Sequence, residues 1–118
     1  MKDPKRVSAC LFCRIVAREL PADIVYEDAE VLSFRDIRPK YPVHLLVVPK
    51  VHLAGVADLQ VEHEPLAGKL LRIGAHLARR EGIANSGFRL LTNEGPDAGQ
   101  VVHHLHLHVL GGESLRGL

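Results

Sequence analysis

Histidine alternates with leucine in the stretch His104-Leu105-His106-Leu107-His108, which is followed by Val109-Leu110-Gly111-Gly112. A β-strand sends successive side chains to opposite faces, so the three histidines are predicted to share one face and the leucines to point into a core. Neighbouring side chains on one strand face lie about 7 Å apart, which lets three imidazoles surround one small anionic group. Folding alone does not call for three titratable rings on an apolar strand. The sequence therefore predicts a functional site here.

Two other interpretations of the three histidines are open. His₃ is a known catalytic zinc set, and polar rings can also line the solvent face of an edge strand. The apolar residues Val109 and Leu110 and the glycines after them favour a central, well-packed strand. Functional chemistry is therefore favoured over a passive strand. The histidines alone do not decide between a metal and direct imidazole chemistry.

The composition limits the class of protein. A chain of 118 residues is large enough for one domain with a real core, and we predict a single domain over residues 1–118 with a flexible N-terminus over residues 1–9. A net charge of +1 gives no electrostatic signature of a nucleic-acid or membrane partner. The apolar runs are too short to span a bilayer, and the polar start lacks the apolar segment of a signal peptide. A cytoplasmic protein is predicted.

Cys10 and Cys13 form a C-x-x-C pair near the N-terminus. In a reducing compartment such a pair is more typical of a metal half-site or a redox couple than of a structural disulfide. A thioredoxin-like couple needs a strand before the first cysteine, and no upstream stretch has a strand pattern. A zinc half-site is therefore favoured, with eight histidines available as partners. Two unpaired bystander thiols remain the alternative.

The hydrophobic pattern predicts an α+β domain with a mainly antiparallel five-stranded sheet. A short helix is predicted over residues 11–19 and a long one over residues 61–80, with Gly82 as its C-terminal cap. A further helical turn is predicted within residues 52–58. Strands are predicted over residues 24–27, 31–34, 44–49, 88–92 and 102–110.

The loop before the histidine strand contains Gly95 and Gly99, which permit backbone conformations and close approaches that side chains would block. Asn93 and Gln100 flank these glycines and can converge on the histidine face. Free backbone N–H groups form anion-binding concavities. Two glycines alone would indicate an ordinary strand connection. Next to three imidazoles, the loop is interpreted as a phosphate cradle.

Several separate motifs occur in one order along most of the chain. Residues 104–110 follow the pattern His-φ-His-φ-His-φ-φ, where φ is apolar, and further motifs lie at residues 12–15, 20–22, 25–28, 34–37, 44–52, 93–95 and 99–100. Together these motifs resemble the histidine triad (HIT) family, in its Hint-like branch of small purine nucleotide-binding phosphoramidases. The resemblance implies a HIT-like α+β fold whose sheets join across a homodimer.

The resemblance also implies a reaction. The middle histidine of the family is the nucleophile, which here is His106, and it attacks the α-phosphate of a nucleoside 5′-phosphoramidate or a related conjugate. A nucleotidyl-histidine intermediate forms, and water then releases the nucleoside monophosphate. Neutral imidazole suits this step at pH 7, and the main-chain carbonyl of His104 is expected to hold the proton on the other ring nitrogen. Dinucleoside polyphosphate hydrolysis or nucleotidyl transfer, or a nucleotide-binding regulatory module with little activity, are the alternatives.

The resemblance assigns roles to further residues. His108 and Gln100 are expected to hydrogen-bond the phosphate and the bridging atom, with His104 completing the catalytic set. Asn93 is expected at the phosphate or the ribose, and Asp36 as the acceptor of both ribose hydroxyls. His44 corresponds to a histidine beside the family's active centre, where packing and chemistry are both open. The expected apolar slot for the base consists of Phe12, Ile15, Leu20, Phe34 and Ile37.

A structural zinc ion is implied as well. Bacterial members of the superfamily hold zinc with a C-x-x-C pair, a histidine after Pro-Lys-x and the first histidine of the triad. The corresponding residues here are Cys10, Cys13, His52 and His104. Four closed ligands indicate a structural rather than a catalytic site. One departure concerns Val101, because Hint-like phosphoramidases usually carry a serine there that is thought to help protonate the departing amine.

Overall fold

A five-stranded sheet with the strand order β1-β2-β3-β5-β4 organises the computed structural model, which describes residues 6–117. All four strand pairs are antiparallel, as predicted. The first five residues of the predicted flexible segment lie outside the described residues. The strands are β1 (Ile24–Glu27), β2 (Val31–Arg35), β3 (Val43–Pro49), β4 (Phe88–Leu91) and β5 (Leu107–Gly111), and the helices are α1 (Leu11–Val16) and α2 (Glu64–Arg80).

Residues 45–48 of the central strand β3 are apolar on both faces because both faces of the sheet are covered. Leu45 and Val47 belong to a core cluster that α2 closes with residues such as Ile73 and Leu77. The alternate residues Leu46 and Val48 belong to a second cluster on the opposite face, which α1 closes with Phe12 and Ile15. The two periods of the sequence, two in β3 and 3.6 in α2, thus generate a sheet between two helical layers.

Helix α2 packs closely on the sheet. A side chain at Gly74 would come within 3.1 Å of Leu90 and 3.2 Å of Leu107, so only a residue without a Cβ fits this spacing without movement. Gly82, just after the C-terminal end of α2, has a φ of 78°, as its predicted capping role requires. Within residues 6–117, no helix is both long enough and apolar enough to span a bilayer.

Two side-chain contacts fix the ends of the early strands. Asp28 accepts the backbone N–H groups of Glu30 and Val31, which closes the β1–β2 hairpin. Arg35 at the end of β2 forms two hydrogen bonds of 2.7 and 3.0 Å with Glu81, just after α2. The last residue of β2 is thereby tied to the helix that covers its sheet.

Four predicted elements are shorter in the structure. Helix α2 begins at Glu64 rather than at residue 61, because Val61–His63 forms a 3₁₀ turn, and β4 ends at Leu91. Helix α1 ends at Val16, because Arg18 adopts a φ of 64° that the right-handed helix excludes. The predicted strand over residues 102–110 pairs only from Leu107 onward. Residues 102–106 precede the paired strand, and the Leu105 N–H donates instead to the carbonyl of Leu53. The predicted turn within residues 52–58 is a 3₁₀ turn at Val56–Asp58.

Candidate active site

The three histidines lie at the start of β5 and in the extended segment before it. His104 is fully buried and His106 is 8% exposed, whereas His108 is partly buried. The intervening leucines and Val109 belong to the core on the α2 side, so the predicted alternation of faces is confirmed. On the other side the His106 ring packs edge-on against Phe12, with centroids 5.2 Å apart. The His106 and His108 rings are neighbours, with centroids 5.0 Å apart.

One hydrogen bond determines the chemical state of His106. Its Nδ1 atom lies 2.7 Å from the main-chain oxygen of His104, the contact that the family resemblance implied. A carbonyl oxygen can only accept, so Nδ1 carries the proton and Nε2 keeps a free lone pair. Burial lowers the pKa of His106, although the bond to His104 opposes the change, and the neutral ring is favoured. A neutral imidazole with a fixed lone pair is a nucleophile at pH 7.

The backbone of His106 also forms a hydrogen bond with a side chain. The Thr92 hydroxyl donates to the carbonyl of His106 at 2.8 Å. This contact follows from the β4–β5 register, in which Leu91 lies opposite His108. Nothing in the local sequence distinguishes Thr92, because its role arises from strand pairing. Thr92 is therefore a site residue that the local sequence pattern did not predict.

His108 is linked to a fourth histidine. The register of β3 and β5 places Leu46 opposite His108 and brings the buried His44 within reach, with His44 Nε2 2.9 Å from His108 Nδ1. The backbone N–H of Lys40 donates to His44 Nδ1 at 3.0 Å. Burial, together with the neighbouring His106 and His44 rings, lowers the pKa of His108 to about 4. This ring is therefore neutral at pH 7.

Asp36 lies directly after β2 on the same side of the site. One carboxylate oxygen accepts the N–H of Arg38 at 2.8 Å, and the other lies 3.4 Å from His44 Nε2. Burial lowers the pKa of His44, and the nearby Asp36 carboxylate acts in the opposite direction. The structure thus brings the predicted ribose-binding carboxylate next to the predicted phosphate-binding histidine, with His44 between them.

The glycine-bearing loop is closed by Gln100. Gly95 and Gly99 adopt φ values of 84° and 83°, as their predicted backbone freedom requires. The Gln100 side-chain oxygen accepts the Gly95 N–H at 2.9 Å, and its nitrogen donates to the carbonyls of Ala54 and Val102 at 2.7 and 3.2 Å. Its amide hydrogen bonds are thus made within the protein. A contact from Gln100 to phosphate requires exchange of at least one of them. Asn93 is partly buried just before this loop.

The residues expected to form the base slot divide into two groups. Phe12, Ile15 and Phe34 are buried together, with Leu20 packed partly against them. Leu20 also lines a surface cavity of about 420 Å³ formed by residues 18–22 and residue 24. Ile37 lies apart from this group, and its side chain is 87% exposed.

The predicted metal ligands converge beside the triad. The ligand atoms of Cys10, Cys13, His52 and His104 all lie within 4.8 Å of one another, so the four residues could hold a metal ion. His104 Nδ1 is 3.3 Å from Cys10 Sγ and 3.6 Å from Cys13 Sγ, and His52 Nδ1 is 3.4 Å from Cys13 Sγ. Tetrahedral zinc with bonds of about 2.3 Å to sulfur and about 2.0 Å to nitrogen separates these ligand types by about 3.5 Å. The donor set fits such an ion.

Outer contacts orient this cluster. His104 Nε2 lies 2.8 Å from the carbonyl of Pro49, so Nε2 carries the proton and Nδ1 offers its lone pair to the cluster. The backbone N–H of Val7 points at Cys13 Sγ from 3.5 Å. A histidine that donates to a carbonyl and a thiol that accepts an N–H are typical of a metal centre.

Comparison with known proteins gives the family. The HIT domain profile matches residues 17–115. The chain belongs to the HIT family. A relative named purine nucleoside phosphoramidase, from Escherichia coli (strain K12), is 44% identical over 105 residues, which cover 89% of this chain and 88% of that protein.

Solved structures of HIT proteins share the fold. A HIT family hydrolase from Legionella pneumophila Philadelphia 1 superposes with a TM-score of 0.89 at 44% identity, covering 91% of this chain and 96% of that one. A histidine triad protein from Clostridium difficile superposes with a TM-score of 0.92 at 37% identity, covering 96% and 98% of the two chains. The predicted HIT-like α+β fold is therefore confirmed.

Acid is expected to destabilise this HIT protein through His108. Its pKa is lowered from 6.5 to about 4 in the folded state, so at intermediate pH the unfolded chain binds a proton that the folded ring does not. The free energy of unfolding should therefore fall as the pH decreases from about 6.5 to about 4. Replacing His108 by glutamine should reduce this loss by on the order of 2 kcal/mol.

Urea unfolding at about pH 7 and about pH 4.5, at one metal concentration, measures the difference. His103→Gln makes the same replacement at the exposed histidine just before His104. This variant is the matched control and should lose as much stability as the wild type. Equal losses in His108→Gln and His103→Gln would contradict the assignment.

Proposed function

We propose that this HIT protein hydrolyses purine nucleoside 5′-phosphoramidates, or related nucleotidyl conjugates, at the α-phosphate. The observation that carries the proposal is the 2.7 Å contact between His106 Nδ1 and the His104 carbonyl, which leaves Nε2 unprotonated. The name of the E. coli relative, purine nucleoside phosphoramidase, supports this substrate class. His108, next to His106, is partly buried and neutral, which supports phosphate binding through an N–H donor.

In the first step the Nε2 lone pair of His106 forms a bond to phosphorus. The bond from phosphorus to the leaving nitrogen breaks, and the amine departs with that electron pair and with one proton taken up from solvent. The modified ring keeps its Nδ1 proton and becomes positively charged. The His104 carbonyl stabilises this charge through the hydrogen bond already present.

In the second step water attacks phosphorus and the bond to His106 breaks. The electron pair returns to Nε2, the water loses a proton to solvent, and the nucleoside monophosphate leaves. Because the ring is neutral before and after the cycle, no further base is needed to restore the nucleophile. Water attack completes the hydrolysis.

The remaining site residues receive roles by position. His108 binds the phosphate, Gln100 joins it after exchanging a hydrogen bond, and Asn93 contacts the phosphate or ribose. The Asp36 carboxylate accepts hydrogen bonds from both ribose hydroxyls, a role that suits a bidentate acceptor. The apolar group around Phe12 supports a base slot, and the exposed Ile37 offers a further apolar surface for the base.

Val101 favours a second candidate reaction. Its side chain is 84% exposed and has no hydroxyl, so it donates no proton to a departing amine. A nucleoside polyphosphate leaves as an anion and needs a proton less than an amine does. Dinucleoside polyphosphate hydrolysis or nucleotidyl transfer is therefore the alternative. Comparing kcat/KM for an amine-linked AMP and a diadenosine polyphosphate separates the two, and AMP binding without turnover of either would indicate a regulatory module.

We further propose that zinc occupies the cluster of Cys10, Cys13, His52 and His104. Zinc there would join the N-terminal segment to the start of the histidine stretch and supply no reacting group. This proposal is supported by the fit of the ligand spacing and by the Pro49 contact of His104.

We also propose a cytoplasmic homodimer. The strand β4 lies at one edge of the sheet, and an unpaired edge can continue into the sheet of a second copy.

Replacing His106 by glutamine is expected to remove the activity. Without the Nε2 lone pair no bond to phosphorus forms, so kcat/KM for an adenosine phosphoramidate should fall at least about a thousandfold. Binding of AMP, measured by calorimetry, should change much less. His76→Gln, in α2 beside Tyr26, is the control and should keep wild-type rates. Comparable turnover by His106→Gln and the wild type would refute the proposed nucleophile.

Metal analysis of protein purified without chelator is expected to find about one zinc per chain. His52→Asn should lose most of this zinc, and its free energy of unfolding should fall by several kcal/mol because binding energy contributes to folding. The exposed ring of His103 lies outside the cluster, so His103→Asn should keep its zinc and its free energy of unfolding. A zinc-free wild type that is as stable as protein supplied with zinc would exclude the site.

A further inference from the structure

His44 has a set of contacts that the proposed roles do not use. It lies on β3, is 6% exposed, and touches a backbone N–H on one side and both a histidine and a carboxylate on the other. We infer that His44 is a positioning residue that fixes the proton of His108 on Nε2, so that His108 presents an N–H donor beside the unprotonated Nε2 of His106. The catalytic consequence rests on the proposed function, whereas the proton positions can be tested without it.

The outer side of the His44 ring faces a backbone donor. The Lys40 N–H lies 3.0 Å from His44 Nδ1, and a backbone N–H can only donate. His44 Nδ1 must therefore hold a lone pair. In the neutral ring the proton is then on Nε2, and the lowering of the His44 pKa by burial supports the neutral form.

The inner side of the His44 ring faces His108. His44 Nε2 lies 2.9 Å from His108 Nδ1, so the His44 N–H donates and His108 Nδ1 accepts. A neutral His108 then carries its proton on Nε2, because each neutral imidazole has one N–H and one lone pair.

The reverse arrangement conflicts with two separate contacts. If His108 Nδ1 donated to His44 Nε2, the His44 proton would move to Nδ1 and face the Lys40 N–H, placing two donors against each other. The Asp36 carboxylate oxygen, 3.4 Å from His44 Nε2, would then face a lone pair instead of an N–H. Both conflicts disappear when His44 donates inward, so two independent neighbours select the same direction.

A metal ion is the competing use of these residues, since Asp36, His44 and His108 could also hold one. Metal binding at His44 Nε2 would displace its proton. With Nδ1 already accepting from Lys40, the ring would then have no proton on either nitrogen. Loss of both protons from a buried imidazole costs far more than the neutral hydrogen-bonded arrangement. The contact with Lys40 therefore favours the relay of hydrogen bonds.

The relay gives adjacent rings opposite proton positions. His106 has its proton on Nδ1 because of the His104 carbonyl, and His108 has its proton on Nε2 because of His44. The two ring centroids are 5.0 Å apart. One phosphate group can thus meet a nucleophilic lone pair from one ring and a hydrogen-bond donor from the next. A donor fixed before the reaction stabilises developing charge without reorganisation.

Nitrogen-15 NMR of the histidine rings tests the proton positions directly. In the wild-type protein at neutral pH, with its bound metal retained, His44 and His108 should both show a protonated Nε2 and an unprotonated Nδ1. A protonated Nδ1 on His108, or a mixture of both forms, would overturn the inference. Displacement of the His44 Nε2 proton when zinc is added in excess would show that the metal interpretation is correct instead.

Two variants at position 44 separate positioning from packing. His44→Gln keeps an N–H donor near the place of Nε2, whereas His44→Phe keeps an aromatic ring without any donor. We expect His44→Phe to lower kcat for an adenosine phosphoramidate about tenfold to a hundredfold, with KM changing less than about threefold. His44→Gln should stay within about threefold of the wild type. In His44→Phe the His108 ring should show both proton positions.

The control for these variants is His76→Phe, which makes the same replacement on α2 away from the triad and should keep wild-type kcat. Equal loss of kcat in His44→Gln and His44→Phe, with unchanged His108 spectra, would show that His44 only packs. If the wild type turned over no nucleoside phosphoramidate while the ring spectra matched expectation, the proposed function would fail and the proton assignment would stand.

Discussion

The hydrogen bond from His106 Nδ1 to the His104 carbonyl is the interaction on which the chemistry of this HIT protein depends. His104 supplies the accepting main-chain oxygen, and the contacts of its own side chain hold that main chain in place. The His104 side chain is fully buried, donates through Nε2 to the Pro49 carbonyl and turns Nδ1 towards the cysteine thiols. Its main chain is thereby held at a place where its oxygen can select the form of the neighbouring ring. The cluster of candidate metal ligands and the triad therefore have His104 in common.

The sheet provides the rigidity that this arrangement needs. The register of β3 and β5 brings His44 to His108, and the pairing of β4 with β5 brings Thr92 to the carbonyl of His106. Both neighbours of the triad are thus positioned by backbone ladders. Helix α2 closes the opposite face of the sheet, where Gly74 lets it approach Leu90 and Leu107. Side chains on such elements need little reordering when a ligand binds.

Local pattern was sufficient to predict much of this molecule. The alternation of histidine and leucine predicted which side chains share a face, because that property depends only on strand geometry. The C-x-x-C pair indicated a metal half-site, and the family resemblance supplied His52 and His104 as its partners. The antiparallel sheet and the long helix followed from hydrophobic periods that the structure reproduces.

Other features depended on contacts between distant parts of the chain and had no local signal. The strand predicted from residue 102 begins to pair only at Leu107, because Leu105 binds the chain after β3 instead. Gln100, expected to face phosphate, uses its amide to close its own loop. Asp36 was expected to accept the ribose hydroxyls, and its position beside His44 could not be inferred from the spacing of residues in the sequence.

Locating the bond to phosphorus would show whether His106 attacks through Nε2. Protein labelled with nitrogen-15 in its histidines would be mixed with an adenosine phosphoramidate and quenched in alkali, and the adduct would be examined by NMR and by peptide mass spectrometry. We expect one nucleotidyl group on His106, with phosphorus coupled to Nε2. A nucleotidyl group on His108, or a bond through Nδ1 of His106, would contradict it.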